Sequence, residues 1–206
     1  MPNEISRLLS TWTSGLSGRE ALVRVFEQVR DLPYGTIGSR DPLEVVRMRR
    51  GTCSGKHLLL AHLYRLMDID VHDMIALHYY EELPRRVEYP AELAELVTRG
   101  GGIPDYHNFI AIYLDDRWVN LDATFDYELR DYVVVNEWDG SADTELSVRA
   151  HDIREVKYPL TFKERKLAEF PSHIREQRAE FLDRFSEWLQ ALRTGKQPTI
   201  PREEPK

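Results

Sequence analysis

A cysteine, a histidine and an aspartate follow one another along this chain in settings that suit nucleophilic catalysis. Cys53 is the single cysteine of 206 residues. It stands in Arg50-Gly51-Thr52-Cys53-Ser54-Gly55-Lys56-His57, directly before the apolar run Leu58 to Leu66. Gly51 breaks what precedes it, and Thr52 is of a type that caps helices by accepting a free N–H of the first turn. Cys53 is therefore expected in the first turn of a buried helix. Unpaired N–H groups and the positive end of the helix dipole favour a thiolate there, and the thiolate is the nucleophile. A lone cysteine can equally be a small buried hydrophobe. What separates the two readings is a base within hydrogen-bond reach, itself held in one tautomer by a third group.

Seven histidines compete to be that base. His57, four residues after Cys53, shares its helix face and reads as a neighbour or a surface residue. His62 falls in mid-helix, and His151 and His173 fall in polar or late segments. His72 and His78 lie six apart on one expected strand face, without carboxylate or thiol company, and make a poor metal site. His107 opens an alternating segment, Tyr106 to Leu114, and a second segment, Arg117 to Leu121, returns after Asp115-Asp116. If that pair is the turn, partners sum to about 230 and His107 falls opposite Ala123, one residue from Asp122. An unpaired carboxylate at a strand end would be costly, which favours an imidazole beside Asp122. The competing account is an ordinary hairpin with a solvated aspartate.

Those residues need elements to hold them. Asn3–Trp12 and Ser17–Arg30 read as amphipathic helices, the second opened by a Ser17/Glu20 capping box. Asp41-Pro42-Leu43-Glu44 opens a third short helix, which delivers the chain to Gly51. The Cys53 helix should stop near Asp68, and a strand follows from Val71 to His78. Residues 81–102 read as an insertion with a short helix at Pro90–Val97 and a glycine hinge at 100–102. Tyr132–Val135 reads as a further strand, and Trp138–Ala150 has no period. From Thr161 to Arg193 the apolar residues Leu167, Phe170, Ile174, Phe181, Phe185, Trp188 and Leu192 form a helical stripe interrupted at Pro171. The stripe must pack on the domain or on a second copy of the chain, which leaves an oligomer through these helices open. The expected division is a domain over 1–160, a helical extension over 161–193 and a disordered tail over 194–206.

Composition narrows the classes. A net charge of −7 argues against a general nucleic-acid binder, and Arg47, Arg49 and Arg50 are too short a basic run to change that. One cysteine excludes an internal disulfide framework and fits a reducing compartment. With no leader pattern at Met1-Pro2-Asn3-Glu4 and no apolar run of spanning length, a cytoplasmic protein without a membrane segment is expected. No cofactor or metal motif is present.

Gly-Thr-Cys-Ser-Gly-Lys before an apolar helix, then His-Asn-Phe-Ile-Ala-Ile-Tyr-Leu, then Trp-Val-Asn-Leu-Asp-Ala-Thr, resembles the transglutaminase-like superfamily. The resemblance covers about Leu22 to Phe125 and implies an α+β, papain-like core. The nucleophile helix would pack on an antiparallel sheet. It also implies Cys53 as nucleophile, His107 as general base and acid, and Asp122 as orienter. Asp-Ala-Thr stands where many members have Asp-Pro-Thr. The implied chemistry is acyl transfer through a thioester on amide bonds of a peptide or protein. Hydrolysis is expected over cross-linking, since no calcium-loop pattern is present to control the latter. The backbone N–H of Cys53 is one oxyanion donor, and Gln28 and Tyr34 are candidates for the second. Two alternatives are a non-catalytic interaction module on the same fold and an arylamine N-acetyltransferase-like enzyme using the same triad order.

Overall fold

The molecule is built around one helix, α4 (Cys53–Arg65), whose Leu59, Leu60, Ala61, Leu63 and Tyr64 are wholly buried. A helix apolar on nearly every side must be covered on every side. In this computed structural model, which describes residues 4–195, α1 (Glu4–Trp12), α2 (Gly18–Arg30) and α3 (Pro42–Met48) cover it from one direction and the sheet from the other. Gly55 allows the approach of α3: a Cβ there would lie 2.8 Å from Val45 Cγ2. Asp41 caps α3 by accepting from Leu43 N at 2.7 Å, with Pro42 in the first turn. Two other expected caps are absent. Ser17 and Thr52 stand at cap positions with extended backbones, but neither hydroxyl makes the cap bond.

Among the described residues the sheet is antiparallel and four-stranded, in the order β3 (Arg117–Leu121), β2 (Pro104–Leu114), β1 (Val71–Tyr79), β4 (Ile153–Glu155). The hairpin turns at Asp115-Asp116, both with positive φ, and Leu114 pairs with Arg117. Partners therefore sum to 231 rather than 230, as in Ile110 opposite Leu121. The difference of one matters because the side-chain period of a strand is two. A sum of 230 would put Asp122 on the sheet face opposite His107; a sum of 231 puts both on one face. Tyr132–Val135 is not a strand: Val133 makes one isolated bridge, to Arg85, and is otherwise buried in loop. The polar stretch after it leads instead into β4, a short exposed edge strand with no alternating signature.

Two buried clusters result. The first lies between α1, α2, α4 and the sheet and is mainly aliphatic, with Val25, Val29, Leu59, Leu60, Leu63, Ile110 and Ile112. The second gathers Tyr34, Tyr80, Tyr89, Phe125 and Leu96 with Phe181, Phe185 and Trp188. Its helices are α5 (Ala91–Thr98) and α7 (Ser172–Arg193), with α6 (Pro159–Ala168) preceding α7 and Pro171 separating them. The C-terminal stripe thus packs on the rest of the chain, and so does the helix of the 81–102 segment. Residues 196–206 of the expected tail lie outside the described residues. Among those described, no helix is long and apolar enough to cross a membrane.

Candidate active site

Cys53 is nearly enclosed at the start of α4 and belongs to the second cluster, although its helix carries the first. The segment before it is held by a bridge between Tyr34 and Gly51, with Gly51 N donating to Pro33 O and Gly35 N to Gly51 O. This brings Tyr34 to the mouth of the helix. Cys53 and Tyr34 line a cleft of about 750 Å³ together with Thr36–Pro42, Asp105, Lys163 and Arg178.

His107 Nε2 donates to Asp122 Oδ2 at 2.8 Å, and the Cys53 sulfur stands close enough to the same imidazole for the two groups to shift each other's titration. With Nε2 committed to the carboxylate, Nδ1 is the nitrogen left for the sulfur. Asp122 is fully enclosed and saturated: Oδ2 also accepts from Ser147 N at 2.7 Å, and Oδ1 from Thr124 N at 3.0 Å. Asn136 Nδ2 holds the Asp122 carbonyl at 2.8 Å. The three residues read from the sequence are thus brought together, the histidine and aspartate by a direct hydrogen bond.

Charge follows from these partners. Burial alone would raise the Cys53 thiol, but the Lys163 charge and the His107 hydrogen bond outweigh it and bring the pKa to about 6. Burial alone would make His107 less basic; the Asp122 carboxylate and the Cys53 sulfur reverse that and raise it to about 10. Burial also works against an ionised Asp122, yet His107 holds it well below the usual carboxylate range. The directions of all three shifts favour a thiolate–imidazolium pair backed by a carboxylate.

The other expectations fare differently. Gln28 lines a separate pocket of about 200 Å³ with Trp12, Leu32 and Val46, away from the Cys53 cleft. His57 is not a surface residue. It is buried, its Nδ1–H donates to Cys53 O at 2.8 Å and its Nε2 accepts from Ala123 N at 2.8 Å. Both nitrogens are spent on backbone, and burial lowers the ring to about 4, so it is neutral. It ties the turn that carries Cys53 to the residue after Asp122. The i to i−4 spacing of His57 and Cys53 was the available signal. His72 stacks on Trp118 and pairs with Glu155, whereas His78 is buried beside Tyr80. Among the described residues no group of three or more His, Cys, Asp or Glu side chains could hold a metal ion.

Asp105, Lys163 and Arg178 were not expected in the cleft. Asp105, two residues before His107, accepts from Arg178 at 2.7 Å and pairs with Lys163 at 3.3 Å. Lys56, buried in α4, donates to the carbonyls of Arg30, Leu32 and Thr124 at 2.6–2.8 Å and so joins three segments below the site.

A buried helix that begins at a cysteine, packed on antiparallel strands that carry a histidine and lead directly into an aspartate, defines a papain-like thiol fold. The family model described as transglutaminase-like superfamily matches residues 9–123, and the chain belongs to that superfamily. A comparison with curated proteins finds no match. Among solved structures the chain is similar to a protein from Cytophaga hutchinsonii described as a candidate cysteine protease. The two are 14% identical with a TM-score of 0.41, and the match covers 73% of this chain and 48% of the other, so this chain spans about half that protein's length.

Proposed function

We propose that the protein is a cysteine-dependent acyl-transfer enzyme that hydrolyses amide bonds of a peptide or protein. The observation that carries this reading is the grouping of Cys53, His107 and Asp122 beside a cleft, with His107 Nε2 bonded to Asp122 Oδ2 at 2.8 Å and the imidazole acting directly on the Cys53 thiol. The Cys53 thiolate attacks the amide carbon, and the carbonyl oxygen becomes an oxyanion. The backbone N–H of Cys53 and the Tyr34 hydroxyl are its donors. His107 gives its Nδ1 proton to the leaving nitrogen, the C–N bond breaks and a thioester remains. Water then attacks the thioester while His107 takes its proton. The acid departs, and thiolate and imidazolium are restored. Asp122 keeps Nε2–H fixed throughout.

Three measurements test the reading. Intact mass spectrometry after exposure to an amide-bearing peptide library should find an acyl adduct on Cys53 and cleaved or deamidated product. Cys53→Ala should lose all turnover. His107→Ala should lose amide turnover far more than turnover of an activated ester, whose leaving group needs no proton. The pH profile of kcat/KM should rise as pH passes about 6, where the thiolate forms, and fall as it passes about 10, where the imidazolium is lost. If no adduct and no product form under any condition while a peptide ligand is retained, the chain is an interaction module on this fold.

A further inference from the structure

Residues 159–193 lie outside the family match, yet α6 and α7 put Lys163 and Arg178 into the cleft lined by Cys53. Lys163 is 2% exposed, and an ammonium is seldom buried so deeply without charged partners. Its Nζ donates to Ser54 Oγ at 3.3 Å and to Tyr106 O, and pairs with Asp105 at 3.3 Å. Ser54 follows the nucleophile and Tyr106 precedes the histidine. One ammonium therefore spans the two elements that carry sulfur and imidazole.

The charges around it do not balance without the nucleophile. The groups facing Cys53 are His107 and Asp105 on β2, Lys163 on α6 and the hydroxyls of Tyr34 and Tyr80, and Arg178 on α7 lines the same cleft. His107 is compensated by Asp122. Asp105 is one carboxylate between two cations, and its shorter contact is to Arg178, at 2.7 Å against 3.3 Å for Lys163. Lys163 is left with a share of positive charge whose remaining anionic counterpart is the sulfur.

We propose that Lys163 is a positioning residue for the nucleophile: the C-terminal helices bring in its ammonium to hold Cys53 as thiolate and to fix the Cys53 turn against the His107 strand. The inference rests on the reading of Cys53 as the reactive thiol, but its test needs no turnover. Coulombic attraction from Lys163 is also the largest of the influences that lower the Cys53 thiol. The C-terminal extension thus becomes part of the site, and the family core without it would hold a less acidic thiol.

Because Cys53 is the single cysteine, ultraviolet thiolate absorbance reports on it alone. In Lys163→Gln the midpoint should move up from about 6 by about one pH unit or more, and the rate of iodoacetamide labelling should move with it. Lys163→Arg, which keeps the charge, should stay near the natural midpoint. If both variants fold less stably but titrate where the natural protein does, Lys163 is a structural tie only and the inference fails. If Lys163→Gln does not fold, the natural protein still decides by NMR with isotope-labelled lysine. The Lys163 signal should then show a step at the thiol midpoint that is missing in Cys53→Ser, and absence of that step overturns the proposal. A natural protein that forms a thiolate but never an acyl adduct would instead refute the proposed function and leave this inference standing.

Discussion

The two buried clusters of this molecule are built from different material. The first is aliphatic, stands on α4 and the β1–β3 face, and draws all its buried members from the first 138 residues. The second is aromatic: Phe181 and Phe185 stack on each other, and Tyr34, Tyr80, Tyr89 and Trp188 meet them or one another at tilted and edge-on angles, with ring centroids 4.6–6.2 Å apart. Its members come from distant parts of the chain. Aliphatic side chains fill a slab between helices and sheet by volume alone. Flat rings with fixed preferred angles, two of them with hydroxyls bonded inward, set orientation as well as volume. Cys53 sits on the seam, its helix rooted in the first cluster and its sulfur in the second. The difference suggests a division of labour: the aliphatic half fixes where the helix starts, and the aromatic half fixes what faces it.

The largest break in that comparison is to remove the C-terminal half of the second cluster. A chain ending at Tyr158 would uncover Tyr80, Tyr89, Leu93 and Leu96, and would lose Lys163, Arg178 and Arg193. Arg193 forms a buried bidentate pair with Asp126, with contacts at 2.8 and 2.5 Å, and also donates to Tyr34 O. Removing one partner of such a pair alone costs about 3–5 kcal/mol. The truncated protein should aggregate on expression or melt far below the full chain. A truncated protein that remained monomeric, with an unchanged melting temperature, would show that the aromatic cluster is decoration.

A smaller break compares single side chains. Phe185→Ala should cost about 3–5 kcal/mol and Leu60→Ala about 2–5 kcal/mol, since both side chains are fully buried. The two clusters share α4, which places Leu59, Leu60, Ala61, Leu63 and Tyr64 in the first and Cys53 in the second, so calorimetry should show one cooperative transition, lowered in both variants. If Phe185→Ala instead produced a separate early transition with the rest melting normally, the halves would be independent folding units.

What was legible in the sequence divides along the same seam. The first cluster follows from local periodicity in α2, α4 and β2, and the resemblance to the transglutaminase-like superfamily covers that same stretch. The hairpin register was missed by one because a turn at Asp115-Asp116 fixes partners at 114 and 117, and a count centred one residue off flips the face of Asp122. The second cluster could be seen as an apolar stripe but not where it docks, because docking depends on contacts between remote segments. One signal was present and unused. Lys163 and Arg178 fall in phase with Leu167, Phe170, Ile174, Phe181 and Phe185, on the face that packs inward. A charge at an apolar-stripe position marks a buried cation with a partner to be found. Lys56, in the apolar face of α4, carries the same mark.

The smallest expected effect sharpens the comparison from the far end of the hairpin. Asp115 and Asp116 have φ of 50° and 62°, the paired positive values of a two-residue hairpin turn that favours Asp-Gly. Asp115 also accepts from Arg19 at 2.6 Å and should be kept. Asp116→Gly relieves left-handed backbone strain at the cost of extra freedom in the unfolded chain, for a net gain of about 0.5 kcal/mol. In a chain of this size that raises the melting temperature by about 1–2 °C. The turn lies at the opposite end of β2 from His107, so the Cys53 labelling rate should not change. If the clusters unfold together, the whole transition moves up as one. A rise confined to part of a split transition would show instead that the hairpin stabilises the aliphatic half alone, and that the seam holding Cys53 is the weakest joint in the fold.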